Sequence, residues 1–259
     1  MRTYLVTGAA SGIGQATAEL LKERGYRAIG ADLKGTDIEC DLTTADGRME
    51  LVDRTSELSG GQLDAIIAVA GSSAPTAATA SVNYFGMVAT LEGLRPFLSD
   101  SSAPRAVGVS STASLQPTDP ALVDMMLAGD EPAALARAKE LEADPRYGFL
   151  IYSSSKEAFA RWVRRSAALD RWAGRSIPLN AIAPGVIETP MTRELLSTPE
   201  GREIAFRSTP MPLNGPAAPP SAPARLLAWL ASEENTHLCG QVIFVDGGTD
   251  VVTRHDTTW

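Results

Sequence analysis

The chain has 259 residues, 44% of them hydrophobic, and a formal net charge of −8 at neutral pH. It can therefore bury a sizeable core, and it offers no basic surface for nucleic acid or for an anionic membrane leaflet. Its two cysteines, Cys40 and Cys239, are too few for a disulfide framework and too far apart for a zinc or iron–sulfur centre, so no metal is expected.

Met1 leads almost at once into a strand-like run, Thr3 to Thr7, without a leader, and no apolar stretch has membrane-spanning length. These features predict a soluble, cytoplasmic protein. Apolar runs of strand length then recur at residues 4–6, 27–31, 64–70, 105–110, 179–183 and 241–245, with amphipathic stretches between them. That is a βαβ rhythm. Strands apolar on both faces predict a doubly wound, Rossmann-like α/β domain: a parallel sheet of about seven strands, a short third strand included, with helices on both faces. The first helix opens near Gly12, presents Ile13, Ala16, Leu20 and Leu21 on one face, and stops at Gly25. Two segments interrupt the rhythm, residues 115–148 and 189–223. Both read as insertions in a single domain spanning 1–259.

The first strand runs into TGAASGIG, which sets Gly8, Gly12 and Gly14 at a strand-to-helix turn. Glycines there let the backbone approach a pyrophosphate, and the helix start supplies free N–H groups and a positive dipole end. Asp32 ends the second strand, 24 residues beyond Gly8, where a carboxylate accepts hydrogen bonds from ribose hydroxyls and repels a 2′-phosphate. The glycine turn holds no Arg or Lys, so NAD(H) is expected over NADP(H), although Lys34 lies near. Asp41, after the short third strand, has two readings: a contact to the adenine amino group, or a helix N-cap before Thr43.

Tyr152 and Lys156 stand four apart in a segment of helical periodicity, residues 153–172, and so share a face. An ammonium beside a phenol stabilises the phenolate and fits it for acid–base work at neutral pH. Ser111 closes the strand at 105–110, at the sheet edge where doubly wound folds hold ligands; its hydroxyl can hold a substrate carbonyl beside the tyrosine.

TGAASGIG, Asp32, the Ser111–Tyr152–Lys156 set, Ala183-Pro184-Gly185 and the closing Val245-Asp246-Gly247-Gly248 resemble, in order and along the whole chain, the short-chain dehydrogenases/reductases. The resemblance implies that Asn83, in SVNYFG, is a fourth catalytic residue supporting a water that relays protons to Lys156. It also implies that Lys156 bonds the nicotinamide ribose, and that Ile187 to Thr189 meet the carboxamide. By the same resemblance Ser11, Ile13, Leu33, Leu42, Ala70, Gly71, Pro184 and Gly185 join the glycines, Asp32, Asp41, Tyr152 and Lys156 around the cofactor. One departure stands out. The family's Asn-Ala-Gly reads Val69-Ala70-Gly71 here, which predicts the loss of a structural hydrogen bond.

Ser111 and Tyr152 are 41 residues apart, a long connection for the family, and residues 120–137 read as a helical hairpin broken at Gly129. With VNYFG, YSSSK and DGGTDVV, this resembles the bacterial 3α-hydroxysteroid dehydrogenase/carbonyl reductase subgroup. The insertion would then cover the helices through which many relatives form tetramers, implying a homodimer. Residues 189–213 match the family's lid, where Met191, Leu195, Leu196, Phe206 and Met211 can close over a small apolar ketone or alcohol or simply pack a surface helix pair; of these, Met191 and Leu195 are taken as substrate contacts beside Ser111 and Tyr152. Aryl amino alcohols, aryl ketones or diketones are the alternative substrates. A non-enzymatic NAD sensor is the alternative of another class. His237 and His255 are not placed to serve a serine nucleophile, which argues against a hydrolase.

Overall fold

The structure, a computed structural model, describes residues 1–213 and 217–257; positions 214–216 of the expected lid lie outside them. Among the described residues seven strands form one parallel sheet: β1 (Thr3–Thr7), β2 (Arg27–Asp32), β3 (Ile38–Glu39), β4 (Ala65–Ala68), β5 (Arg105–Val109), β6 (Leu179–Pro184) and β7 (Val242–Val245). Their order is β3-β2-β1-β4-β5-β6-β7. The order reverses between β1 and β4, and the crevice at the carboxyl ends beside such a switch point is where doubly wound folds bind ligands.

Side chains alternate across the sheet with a period of two. On β1, Tyr4 and Val6 join one apolar cluster while Leu5 joins the other; Ile67 and Ile66 divide in the same way on β4. The first cluster is closed by α1 (Gly12–Glu23) and α10 (Ser221–Leu230). The second is closed by α2 (Ala45–Ser59), α4 (Met87–Leu94) and α7 (Phe149–Ser166). The buried face of α1 is Gly14, Thr17, Ala18 and Leu21, and Ile13 and Leu20 of the expected stripe pack part-buried against the same cluster, so the stripe is wider than expected. Thr17 hides there because its hydroxyl donates to Ile13 O at 2.7 Å within the helix.

Residues 120–142 fold as two helices, α5 (Pro120–Ala128) and α6 (Glu131–Glu142), with Gly129 at φ 75° between them. Asp119 caps α5 by accepting Leu122 N–H at 2.8 Å, and Asp130 caps α6 by accepting Ala133 N–H at 3.1 Å. Leu122, Val123, Met126, Ala134, Ala138 and Leu141 are buried in the same cluster as Phe159 and Trp162 of α7. The helical insertion before the tyrosine helix therefore thickens one layer of the domain.

Helix α7 begins at Phe149, a turn before Tyr152, and ends at Ser166 instead of near Trp172. It stops early because Trp172 is fully buried, packed edge-on against Trp162 at 6.3 Å; the chain must leave the helix axis to bring that ring inward. Opposite α7, a Cβ on Gly108 of β5 would stand 2.4 Å from the Phe159 ring. Glycine at 108 thus lets the tyrosine–lysine helix lie close against the strand that leads to Ser111. Among the described residues no helix is long and apolar enough to cross a membrane, and no cluster of His, Cys, Asp and Glu suits a metal ion.

Candidate active site

A cavity of about 350 Å³ opens at the carboxyl edge of the sheet. All the residues that the sequence and the resemblance assign to the cofactor line it: Gly8, Ser11, Gly12, Ile13, Gly14, Asp32, Leu33, Asp41, Leu42, Ala70, Gly71, Tyr152, Lys156, Pro184, Gly185, Ile187 and Thr189.

The glycine turn has no slack. Gly8 holds φ 69°, and a Cβ on it would lie 3.0 Å from the Ala70 backbone; a Cβ on Gly14 would lie 2.1 Å from Gly8 O. Ser11 stands at the N-cap of α1 but makes no side-chain capping bond, which leaves first-turn N–H groups aimed at the crevice. Asp32 is fixed beside them: one carboxylate oxygen accepts Ala10 N–H at 2.9 Å and the other Leu33 N–H at 2.7 Å. A cradle that admits no side chain, a free helix start and an acceptor carboxylate fit a dinucleotide.

Asp41 lines the cavity and caps nothing. The cap of α2 is Thr44, whose side chain accepts Gly47 N–H at 3.0 Å, while Asp41 accepts Thr43 N–H at 2.9 Å in a local turn. The N-cap reading fails because the helix starts three residues later than it required. Around Val69 the backbone is held by Thr7, whose hydroxyl accepts both Val69 N–H at 3.0 Å and Ala70 N–H at 3.1 Å. Composition carried no signal for that role, because the contact joins residues 62 and 63 positions apart.

Ser111, Tyr152 and Lys156 meet on the same cavity. Ser111 follows β5 in extended conformation and starts a short 3₁₀ turn. Tyr152 and Lys156 come from the first two turns of α7, and Ser110 Oγ ties that helix to the strand by donating to Lys156 O at 2.9 Å. Lys156 Nζ donates to Val109 O at 3.0 Å and stands 5.8 Å from the Tyr152 ring centre.

Burial pushes the Lys156 ammonium down to about 8. Burial also pushes the Tyr152 phenol above its ordinary value, and the Ser111 hydroxyl pulls it back. The lowering expected from Lys156 is not what sets the phenol here: desolvation dominates, and the opposing pull comes from Ser111.

Asn83 does not line the cavity. It is fully buried in a π-helical turn, Ser81–Gly86, behind Gly71. Its Oδ1 accepts Ser72 N–H at 2.8 Å, and its Nδ2 donates to Ser72 O at 2.9 Å and Ser155 Oγ at 3.0 Å. A Cβ on Gly71 would lie 2.8 Å from Asn83 Oδ1 and 3.6 Å from Lys156 Nζ. Glycine at 71 is what lets Asn83 and Lys156 approach each other.

The lid folds as α8 (Pro190–Ser197) and α9 (Pro199–Ser208). Of the two expected substrate contacts, Met191 lines the cavity and Leu195 does not; both are exposed. Spacing of four puts both on one helix face, with Leu195 a turn farther from the sheet edge. Leu196, Phe206 and Met211 instead pack with Val186 and Ala205 in a small cluster of their own.

The chain belongs to the short-chain dehydrogenase/reductase family and is an oxidoreductase of that family; the family model described as enoyl-(acyl carrier protein) reductase matches residues 8–250. It is 36% identical over 98% of both chains to a 3α-hydroxysteroid dehydrogenase/carbonyl reductase of Comamonas testosteroni. It is 30% identical over 97% of both chains to cis-4-hydroxycyclohexanecarboxylate dehydrogenase of Sinomonas cyclohexanicum. Among solved structures it is similar to the 3α-hydroxysteroid dehydrogenase of Pseudomonas sp. B-0831 in complex with NADH, with a TM-score of 0.88, 38% identity, and coverage of 98% of this chain and 99% of that one.

Proposed function

We propose that this protein is an NAD(H)-dependent oxidoreductase that interconverts a secondary alcohol and a ketone, of the 3α-hydroxysteroid dehydrogenase/carbonyl reductase type. The observation that carries this reading is the convergence of Ser111, Tyr152 and Lys156 on the cavity that the glycine cradle and Asp32 also line. When bound, the nicotinamide supplies the hydride chemistry and, in its oxidised form, an additional positive charge. Gly8, Gly12, Gly14 and the α1 N–H groups would hold the pyrophosphate, and Asp32 the adenosine ribose. Asp32 also sets the preference for NAD over NADP, by repelling a 2′-phosphate.

Ser111 positions the reacting oxygen and Tyr152 moves the proton, giving it to the forming alcohol or taking it from the alcohol being oxidised. Lys156, with a pKa near 8, exchanges protons at neutral pH and steadies the ionised phenol. Asn83 holds the Ser72 backbone in place beside it, on the path by which protons reach solvent. Met191 borders the substrate. The insertion packs on α7, the face through which the resemblance has relatives form tetramers, so the assembly is a homodimer; a tetramer in sedimentation equilibrium would overturn that assignment.

The test is NADH formation by the purified protein with a panel of 3α-hydroxysteroids and aryl amino alcohols, with NAD and with NADP. Steroid turnover with NAD is the expected result, and Tyr152→Phe is expected to lose about a thousandfold or more in kcat while still binding NADH. Turnover surviving in Tyr152→Phe overturns the assignment. Turnover of the aryl alcohols alone keeps the mechanism and moves the substrate, while tight NADH binding with no turnover points to a sensor.

A further inference from the structure

The cavity wall around the predicted adenosine end is built from Cys40, Asp41, Leu42 and Thr43, and this wall is held from outside by the insertion. Arg48, in the first turns of α2, donates from Nε to Leu42 O at 2.8 Å. The rest of its guanidinium forms a two-pronged pair with Glu131, the first residue of α6 and 83 positions away, at 2.8 and 2.7 Å. Nη2 also donates to Ser81 Oγ at 3.0 Å, and Ser81 in turn donates to Thr43 O at 2.8 Å. Leu42 O is therefore held by Arg48 and Thr43 O by Ser81, and both holders touch Glu131 of the insertion, Ser81 Oγ at 3.2 Å.

The pair is mostly buried, with the Arg48 side chain 13% and the Glu131 side chain 29% exposed, so it acts with less solvent screening than a surface pair. The wall itself has little freedom. A Cβ on Gly47 would lie 2.0 Å from Asp41 O, and one on Gly86 would lie 2.8 Å from Leu42 O.

We propose that the α5–α6 insertion is a strap for the adenosine half of the cofactor, with Arg48 and Glu131 as positioning residues that hold the 40–43 wall at binding distance. The proposal rests on the pyridine-nucleotide reading above. Glu131 acts mainly through Arg48, with a second contact to Ser81 Oγ at 3.2 Å, and lysine cannot replace the arginine because a single ammonium does not reach Leu42 O and both carboxylate oxygens together.

The test uses the full-length protein, titrated by fluorescence with NADH, ADP-ribose and nicotinamide mononucleotide separately. Glu131→Gln, which keeps size and packing, and Arg48→Lys are expected to weaken ADP-ribose and NADH binding roughly tenfold, the cost of one charged, part-buried hydrogen-bond set. Nicotinamide mononucleotide binding and kcat at saturating NAD are expected to stay within about twofold of wild type. The double variant is expected to lose less than the two single losses combined, because both act largely through one pair. Unchanged ADP-ribose affinity in Glu131→Gln overturns the strap, as does an equal loss on both halves of the cofactor, which would mark a general structural role. Failure of the wild type to bind either NADH or ADP-ribose overturns the pyridine-nucleotide reading instead.

Discussion

At the glycine turn a Cβ on Gly8, Gly12 or Gly14 would meet a neighbour within 3.1 Å, whereas α8, which leaves the same cavity, buries none of its residues. The turn is held by backbone geometry: Gly14 against Gly8 O, Thr7 Oγ1 on two N–H groups just past the end of β4, and Asp32 on two more. The lid is held at its ends and by a small cluster of Leu196, Ala205 and Phe206 against Val186. Thr189 and Thr192 form a reciprocal cap at the start of α8, and Met211 is buried beyond the end of α9, where its sulfur accepts Val186 N–H at 3.2 Å. Between those anchors the helices carry exposed Met191, Leu195 and Ile204. A region built in the first way tolerates no added atom. One built in the second way can change its surface without disturbing the fold, and that suits it to decide which substrate is accepted.

The largest effect is expected from adding one methyl group to the tight region. Gly14 lies inside α1 with helical backbone, so propensity alone would favour Gly14→Ala by about 1 kcal/mol. The new Cβ would, however, fall 2.1 Å from Gly8 O, and relief requires moving the turn that forms the cradle. Gly14→Ala is expected to abolish measurable NADH binding and to destabilise the fold by more than about 2 kcal/mol in urea titration. A variant that binds NADH normally would show the turn to be as forgiving as the lid.

A second test uses charge. Lys156 falls from an ordinary 10.5 to about 8 on burial, so between those values the unfolded chain binds more protons than the folded one. Stability contributed at this site therefore rises with pH across that window, and the buried ammonium is a cost below it. Lys156→Met removes the dependence. The stability of wild type relative to Lys156→Met is expected to increase by about 2 kcal/mol between pH 7 and pH 9.5, read from urea midpoints of both proteins. A constant difference would mean that the ammonium is solvated in the folded protein.

The contrast between the two regions also separates what could be read from the sequence from what could not. Gly8, Gly12, Gly14 and Asp32 were legible because their chemistry depends on backbone conformation and short spacing, which a sequence displays directly. Tyr152 and Lys156 were legible through helical spacing. The Thr7 contact to residues 69 and 70, the Gly71 passage between Asn83 and Lys156, and the Arg48–Glu131 pair all join distant positions, and no local pattern announces them. The stripe on α1 is wider than its apolar residues for a related reason: Thr17 is polar by composition, yet it satisfies its hydroxyl within its own helix and is fully buried. On the lid, spacing alone gave Met191 and Leu195 the same face and could not say where along that face the cavity ends.

That boundary gives the smallest expected effect and the sharpest division within the lid. Met191 lines the cavity and Leu195 lies one turn beyond it, yet they are similarly exposed, at 47% and 41%. Met191→Ala and Leu195→Ala are each expected to change stability by less than about 0.5 kcal/mol, because neither supports the core. Their kinetics should differ. Removing the methionine side chain from a substrate-bordering position is expected to raise the substrate KM by roughly fivefold, about the worth of a partly buried apolar contact, with the KM for NAD unchanged. Leu195→Ala is expected to leave both constants as they were. If both variants raise the substrate KM equally, the lid closes farther over the substrate than α8 does in this structure, and the cavity boundary must be moved outward by a turn.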